Sequence, residues 1–327
     1  MTAPLRIGVI GCGAIATSVH IRVLRGLPNV RVTALADPAP AALDRAANIV
    51  PGAARLASAE ELLARDDIDA VVVAAPTGLH AALALSVIAS GRHLYLEKPI
   101  AATTEDGSRV VAAARDSKLV TVIGFNWRYQ PLVARARELV RAGVLGDVHT
   151  VSTVFSEPSE LPAWKVNRTA GGGVLLDLGS HHFDLIRWML GVEVEHVEST
   201  LRSDASEQDS ASVRLRLSGN ATASCSFSFR AARADSFELI GTRGVLRIDR
   251  YARSLTVTGV RARTQTLAIL AWRTRALIRP RTEPSWSELL RAFVEGIRGH
   301  ASAMPTFDDG LRSLEIVVAA ERAAGAG

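Results

Sequence analysis

Two places in this sequence combine residue types that could carry proton and charge chemistry. The first is Lys98, which follows the short apolar run Leu94-Tyr95-Leu96 and Glu97 and directly precedes Pro99. Only three of the 38 Lys and Arg residues are lysines, and a lysine, unlike an arginine, can have its pKa lowered by burial. A peptide bond that precedes a proline adopts the cis form more readily than any other peptide bond, and this applies to the bond between Lys98 and Pro99. The stretch therefore predicts a buried strand that ends in an amine, although a surface Lys-Pro turn would leave the same pattern.

The second place is an apolar stretch, residues 174–190, which follows three glycines and contains Asp177, His181 and Asp184. On a helix these three positions share one face, and a buried acid–imidazole–acid stripe is costly unless it lines a site. A carboxylate one turn from a histidine is the usual arrangement for a general base held in one tautomer. A structural polar network is one alternative. A metal site that also used His182 is another, but His182 points about 100° away from His181 on a helix, so we expect no metal.

A glycine motif near the start predicts a dinucleotide site. Residues 7–10 are a short β-branched run, and Gly11-Cys12-Gly13-Ala14-Ile15-Ala16 follows at once. In such a G-x-G-x-x-A turn the first glycine permits the tight turn and the second lets the backbone approach a pyrophosphate. The amino end of the helix that follows supplies N–H groups and positive dipole to the phosphates.

An acidic residue in the expected place supports this prediction. The apolar run 32–36 ends in Asp37, 21 positions beyond Ala16, where an acid binds the hydroxyls of the adenosine ribose. An acid there favours NAD, because it would repel the 2′-phosphate of NADP, although NADP stays possible. Asp37 could also serve as a turn residue ahead of Pro38.

The next strand end adds further candidates for cofactor contact. Residues 69–75 read as a fully apolar buried strand, and Pro76, Thr77 and His80 follow it. Ligands of open α/β sheets bind at the carboxyl ends of the strands. His80 could equally be a helix-start residue with no ligand contact.

Length and alternation predict the domain organisation. At 327 residues the chain can form two domains. Strands and helices alternate through residue 124, and from residue 148 strand patterns follow one another. We predict a Rossmann-type α/β domain over residues 1–124. An α+β domain over residues 125–327 would hold a large, open, mainly antiparallel sheet of successive strands, and the last helix could pack back on the first domain.

Two segments leave alternatives open. Residues 125–131 carry two aromatics, an arginine and an amide at the predicted domain junction, and could line a pocket or fill the seam. Residues 261–281 carry six arginines and no acid. This second segment could be a solvated hairpin or a subunit contact, a contact for an anionic substrate, or a patch for a membrane surface.

Composition excludes several classes of protein. The net charge of +5 comes with 48% apolar and 22% charged residues, and no basic helix interleaved with aromatics predicts nucleic-acid binding. The two cysteines form no C-x-x-C pair, so neither a zinc site nor a disulfide framework is predicted. A reducing cytoplasm fits this pattern. No run reaches the roughly 18 apolar residues of a membrane-spanning helix.

Together these motifs resemble the glucose–fructose oxidoreductase, inositol dehydrogenase and rhizopine-catabolism family (Gfo/Idh/MocA). The resemblance extends over both predicted domains, and the family tolerates Ala16 in place of the third glycine. The matching residues are Gly11 to Ala16, Asp37, Pro76-Thr77 with His80, Glu97-Lys98-Pro99, Gly124-Phe125-Asn126 with Arg128, Gly171 to His181, and Asp309-Gly310-Leu311.

This resemblance implies hydride transfer between NAD or NADP and one ring carbon of a sugar, a cyclitol or a sugar derivative, which could be nucleotide-linked. It also implies a homodimer or homotetramer formed through the open sheet. A glycoside hydrolase or lyase with transient oxidation, and a non-catalytic cofactor sensor, are the alternatives. The implied catalytic set is Lys98, Asp177 and His181; the cofactor contacts are Gly11, Gly13, Ala14, Ile15, Asp37, Pro76, Thr77, His80, Glu97 and Lys98; the substrate contacts are Asn126, Arg128, Trp164, Lys165 and His182.

Overall fold

The computed structural model describes residues 3–158, 162, 165–168, 171–259, 284–300 and 303–325. The chain forms two compact units, each with its own sheet. The first unit comprises Met1–Asn126, Asn167–Gly172 and Ser285–Glu315, and the second comprises Trp127–Val166, Gly173–Pro284 and Ile316–Gly327.

The first unit is built on a six-stranded parallel sheet in the order β3-β2-β1-β4-β5-β6. Its central strands are almost wholly apolar, as parallel strands buried on both faces must be. Because the strand order reverses between β1 and β4, the crevice for a ligand lies at the carboxyl ends of these strands. The strands are β1 Leu5–Ile10, β2 Val30–Ala36, β3 Ala54–Leu56, β4 Ala70–Val73, β5 His93–Leu96 and β6 Thr121–Ile123.

Helices connect these strands, and polar caps begin two of them. The side chains of Ser58 and Thr103 accept hydrogen bonds from N–H groups in the first turns of α3 and α5. A π-helix, Ala16–His20, runs directly into α1. The helices are α1 Ile21–Gly26, α2 Pro40–Ala47, α3 Ala59–Leu63, α4 His80–Ala89, α5 Thr104–Arg115, α8 Ser285–Ile297 and the first part of α9 Phe307–Gly325.

The second unit holds a seven-stranded sheet in the order β13-β12-β11-β7-β10-β9-β8. Along β9 and β10 buried and exposed residues alternate, so one face of these strands is packed and the other is open. The strands are β7 Val148–Ser156, β8 Val194–Arg202, β9 Ser210–Leu217, β10 Thr222–Ser228, β11 Ala234–Gly241, β12 Val245–Asp249 and β13 Ser254–Thr258.

The position of β7 differs from the predicted succession of strands. It lies between β10 and β11, parallel to β10 and antiparallel to β11, while the other pairs are antiparallel. A hairpin turn specifies the neighbour of a strand, but parallel partners need a long crossover connection. β7 is followed by a long connection that includes the helix Ser180–Leu190, so the local sequence does not reveal its partners.

Two helices of the second unit matter for the site. They are α6 Pro131–Arg141 and α7 Ser180–Leu190, and the π-helix Leu175–Gly179 precedes α7. A glycine directly after the apolar stretch 174–190 predicts that α7 ends at Gly191, and this is confirmed: the φ of Gly191 is 70°, and its N–H donates to Arg187 O at 2.8 Å. Among the described residues, no helix has both the length and the apolar character needed to cross a membrane.

Candidate active site

The glycine turn after β1 has the shape of a phosphate cradle. Gly11 has a φ of +87°, and a Cβ atom there would lie 2.6 Å from the carbonyl oxygen of Ala74. A Cβ atom on Gly13 would meet nothing within 4 Å, so the backbone at Gly13 borders open space that a side chain would fill. Gly13 and Ala14 are exposed and Ile15 is half-buried. Since the first N–H groups of a helix lack partners within the helix, this turn fits the pyrophosphate of NAD.

The carboxylate of Asp37 is held beside this turn. Its Oδ2 accepts a hydrogen bond from the backbone N–H of Cys12, and its Oδ1 accepts one from Ala39, both at 2.8 Å. Asp37 follows β2 directly, next to β1 in the sheet. A fixed acid at this strand end suits ribose hydroxyls and disfavours a 2′-phosphate.

Lys98 lies at the same edge of the sheet as the glycine turn. It follows β5, which pairs with β4, and β4 pairs with β1. Since parallel strands all end at one edge, the first unit brings together every residue predicted to contact the cofactor. Lys98 is half-buried, and its peptide bond to Pro99 is cis.

His80 and Thr77 serve the backbone of this edge. The ring nitrogens of His80 lie 2.6 Å from Pro99 O and 2.8 Å from Ala75 O, so the imidazole links the ends of β5 and β4. Burial lowers the pKa of His80, against the opposing effect of these two carbonyl groups and of Glu97. Thr77 is buried under the loop that contains Gly171, where a Cβ atom would lie 2.6 Å from Thr77 Cβ.

A buried polar cluster next to Lys98 is not predicted by the sequence analysis. His20 Nε2 lies 2.8 Å from Glu97 Oε1, and the Tyr95 ring meets the His20 ring edge-on at 5.5 Å. Burial raises the pKa of Glu97, but His20, Lys98 and His80 together outweigh burial and leave that pKa below its ordinary value. Gly124 makes room for this carboxylate, because a Cβ atom there would lie 2.9 Å from Glu97 Oε2. The available signal was a histidine within an otherwise apolar helix face.

In the second unit, Lys165 is paired with the predicted catalytic carboxylate. Its ammonium donates to Asp177 Oδ2 at 2.8 Å, and its carbonyl oxygen accepts a hydrogen bond from Gly173 N–H at 2.9 Å. Asp177 lies in the π-helix that precedes α7. Single π-helical turns within α-helices are frequent at functional sites, and here one carries an acid whose charge is balanced by a lysine.

His181 is stacked on an indole. Its ring lies 4.2 Å from the Trp127 ring, with 11° between the planes, and it is mostly buried. Lys98 belongs to the first unit, whereas Asp177 and His181 belong to the second. Neither unit therefore contains the whole predicted catalytic set.

Three predicted substrate contacts have structural partners of their own. The guanidinium of Arg128 forms a buried two-point ion pair with Asp184. Asn126 donates to Ser285 Oγ at 2.7 Å. His182 is fully buried and lies among Phe155, Phe227 and Phe237 in the core of the second unit. Substrate contact by these residues stays a prediction, one that these surroundings do not favour.

Other predictions fall outside the described part of the chain. Trp164 and the arginine-rich segment 261–281 both lie there. In the described residues, no group of three or more His, Cys, Asp or Glu side chains could hold a metal ion.

Comparisons with known proteins agree with this geometry. Residues 5–125 match the "Oxidoreductase family, NAD-binding Rossmann fold", and residues 133–247 match the "GFO/IDH/MocA C-terminal domain". Inositol 2-dehydrogenase from Rhizobium meliloti (strain 1021) is 29% identical, over 97% of this chain and 96% of the relative. dTDP-3,4-didehydro-2,6-dideoxy-alpha-D-glucose 3-reductase from Streptomyces violaceoruber is 31% identical, over 75% and 73%. The chain belongs to the Gfo/Idh/MocA family.

A solved Gfo/Idh/MocA-like structure extends the match to the fold. GenD2 from gentamicin A biosynthesis, in complex with NAD, superposes with a TM-score of 0.82 at 27% identity, covering 99% of this chain and 95% of the other. The predicted family, the fold class, the oxidoreductase class and the NAD cofactor are thereby confirmed. That Gly11, Gly13 and Asp37 of this Gfo/Idh/MocA chain hold NAD stays a prediction.

Proposed function

We propose that this enzyme transfers a hydride between NAD and one ring carbon of a sugar, a cyclitol or a sugar derivative. The observation that carries this proposal is the place of Lys98. Lys98 follows β5, at the sheet edge that also carries the glycine turn and Asp37, the residues proposed to hold the dinucleotide. An ammonium at that edge can favour negative charge on an oxygen beside a bound nicotinamide.

The substrate class is supported by the names of the relatives. One is an inositol dehydrogenase and another is a reductase of a dTDP-linked deoxysugar ketone. Both names describe an alcohol and ketone interconversion on a ring, one free and one nucleotide-linked. A carbohydrate ring, free or nucleotide-linked, is therefore the class to test.

In the direction of oxidation, each of the proposed catalytic residues has its own role. Bound NAD supplies the carbon that accepts the hydride. His181 accepts the hydroxyl proton as the C=O bond forms, and Lys98 favours the negative charge that develops on that oxygen. Asp177, neutralised by Lys165, orients the imidazole or holds a neighbouring hydroxyl. In the reductive direction His181 returns the proton.

Self-association through the sheet of the second unit is part of the proposal. On one face, Val154 and Ile240 are exposed, and so are Ser224 and Ser226 on the neighbouring strand β10. Small residues let a second sheet approach closely, so we propose a homodimer or homotetramer. Light scattering on Ser226→Arg should then report a smaller mass than the wild type.

A cytoplasmic location is proposed as well. Both cysteines, Cys12 and Cys225, are free and buried, and burial raises the pKa of each thiol to about 12. Unreactive free thiols fit a reducing compartment. Fractionation of the source cells with an antibody against the chain would test the location.

A substrate screen tests the reaction. Cyclitols, free sugars and nucleotide-linked sugars would be offered with NAD and NADP in parallel, while the absorbance of the reduced cofactor is followed. Net NADH formation is expected, whereas bond cleavage without net NADH would indicate a lyase or hydrolase instead. On the best substrate, His181→Ala should lose about 10²–10⁴ in turnover with NAD affinity preserved. The exposed His196 gives a matched control, His196→Ala, and near-normal turnover of His181→Ala would overturn the assigned base.

A further inference from the structure

Trp127 lies between an imidazole and a guanidinium. The His181 ring is parallel to the indole at 4.2 Å, and Arg250 Cζ lies 3.5 Å from the centre of the same indole. Two groups this close to one ring would overlap if they shared a face. His181 and Arg250 therefore cover opposite faces of Trp127.

The indole and the guanidinium are themselves held in place. Trp127 is buried and packs against Phe155 at a ring distance of 4.9 Å. The guanidinium of Arg250 forms an ion pair with the buried carboxylate of Asp235, and the Arg250 backbone N–H donates to Asp235 O at 2.9 Å. All of these residues belong to the second unit. A cation over an aromatic face is attracted by the ring quadrupole, so Arg250 holds the indole from the side opposite His181.

We propose that Trp127, held by Arg250, is a positioning residue that fixes the ring plane of His181 for proton transfer. This inference rests on the proposed role of His181 as the base. A hydrogen bond to one ring nitrogen sets the direction of an imidazole but leaves rotation about that bond, whereas a parallel indole restricts the rotation. The second ring nitrogen then faces one direction, which a proton transfer at hydrogen-bond distance requires.

Substitutions at Trp127 test whether its flat aromatic surface, or only the volume of its side chain, positions His181. Trp127→Phe keeps an aromatic face under His181, whereas Trp127→Leu removes it. Since a misplacement of about 1 Å can cost about 10²-fold in rate, Trp127→Leu should lower kcat by roughly 10- to 100-fold with KM close to wild type. Trp127→Phe should recover most of kcat.

Trp188 gives a matched control in the same unit. It lies on α7, the helix that carries His181, and has the Arg137 guanidinium 4.0 Å from its ring centre. Trp188→Leu thus also removes an indole–guanidinium contact, but not the one at His181. Its kcat should equal that of the wild type.

An NMR signal reports the stacking of His181 on Trp127 without any measurement of turnover. The Hε1 resonance of His181, assigned by its loss in His181→Gln, should be shifted upfield by the ring current of the indole. Trp127→Leu should move it to the ordinary position, and Trp188→Leu should leave it unchanged. Arg250→Lys keeps a charge beside Asp235 but cannot lie flat on the indole, so it should move the resonance in the same direction by less.

The outcomes separate this inference from the proposed function. Loss of turnover in His181→Ala with wild-type kcat in Trp127→Leu would overturn the positioning role alone. Wild-type turnover in His181→Ala would overturn the base and the inference with it. An unshifted His181 resonance in the wild-type protein would also overturn the inference, and this result needs no substrate. If Trp127→Leu does not fold, Trp127→Phe and Arg250→Lys decide the matter by the same two readouts.

Discussion

The backbone N–H of Cys12 donates to Asp37 Oδ2 at 2.8 Å, which ties the glycine turn to the end of β2. The other carboxylate oxygen accepts from Ala39 at the start of the next helix. Asp37 thus shapes the turn, and the same acid is the predicted ligand of the ribose. The two interpretations from the sequence, a ribose ligand and a turn residue, are compatible in one side chain.

Asp37→Ser should weaken NADH binding more than NADPH binding. A hydrogen bond to a charged group contributes about 1.5–3 kcal/mol, or roughly 10- to 100-fold in Kd, and the serine also relieves repulsion of a 2′-phosphate. Fluorescence titration with both reduced cofactors measures the ratio. Asp44→Asn, at an exposed acid on α2 paired with Arg55, should leave the ratio unchanged. An unchanged ratio in Asp37→Ser would remove Asp37 from the cofactor site.

Two glycines of the same turn should respond differently to one added methyl group. In Gly11→Ala the Cβ would lie 2.6 Å from Ala74 O at a φ of +87°, so the protein should be destabilised by several kcal/mol. In Gly13→Ala the Cβ meets nothing within 4 Å of the protein, so the melting temperature should stay near wild type while NADH binding weakens at least about tenfold. Thermal unfolding and NADH titration on both variants test this pair. Wild-type NADH affinity in Gly13→Ala would contradict the cradle.

The parts predicted from the sequence are those that local residue types determine. Each of these parts needs a residue with one particular conformational or chemical property. They are the glycine turn, the strand followed by Lys98 and the helix stop at Gly191. The run Gly241-Thr242-Arg243-Gly244 likewise predicts a hairpin turn from local residue types, and this is confirmed, since Gly241 N–H is bonded to Gly244 O at 2.9 Å. Short-range patterns of this kind are visible in a single sequence.

The parts that were not predicted depend on distant residues. Arg128 and Asp184 are 56 positions apart, and His20 ends the π-helix Ala16–His20 whereas Glu97 follows β5. Neither pairing leaves a periodic signal. The π-helices at Ala16–His20 and Leu175–Gly179 have the composition of ordinary helices, so regular α-helical spacing was assumed for Asp177 and His181.

The buried pair of Arg128 and Asp184 offers a test of stability and of substrate contact together. Their side chains are 7% and 1% exposed, so Arg128→Met would leave a buried carboxylate uncompensated and should cost about 3–5 kcal/mol in the free energy of unfolding. The double variant Arg128→Met with Asp184→Leu should recover most of that loss. Urea unfolding measures both. If the double variant folds with a wild-type KM, Arg128 acts as a structural cation; a KM raised at least about tenfold would restore its predicted role at the substrate.

His182 should make the second unit sensitive to mild acid. Burial among Phe155, Phe227 and Phe237 lowers its pKa, and Asp235, whose Oδ1 lies 3.4 Å from Nε2, opposes burial without outweighing it. Below about pH 6.5 the unfolded chain therefore binds a proton at His182, whereas the folded chain does not until the pH is lower. Stability falls by about 1.4 kcal/mol per pH unit until the pH reaches the folded pKa.

The substitution His182→Phe should remove this dependence. Between about pH 7.5 and about pH 5.5 the wild type should lose up to about 1.4 kcal/mol more in the free energy of unfolding than His182→Phe does. Comparing the pH-dependent losses of the two proteins removes the contributions of the other buried histidines, including His80, because these are present in both. It also removes any cost of the larger ring that does not depend on pH. Urea unfolding at the two pH values measures it, with His196→Gln, at an exposed histidine, as the control that should keep the wild-type slope. Equal pH dependence in wild type and His182→Phe would mean that His182 is charged in the folded protein, held by Asp235 rather than excluded by the aromatic rings.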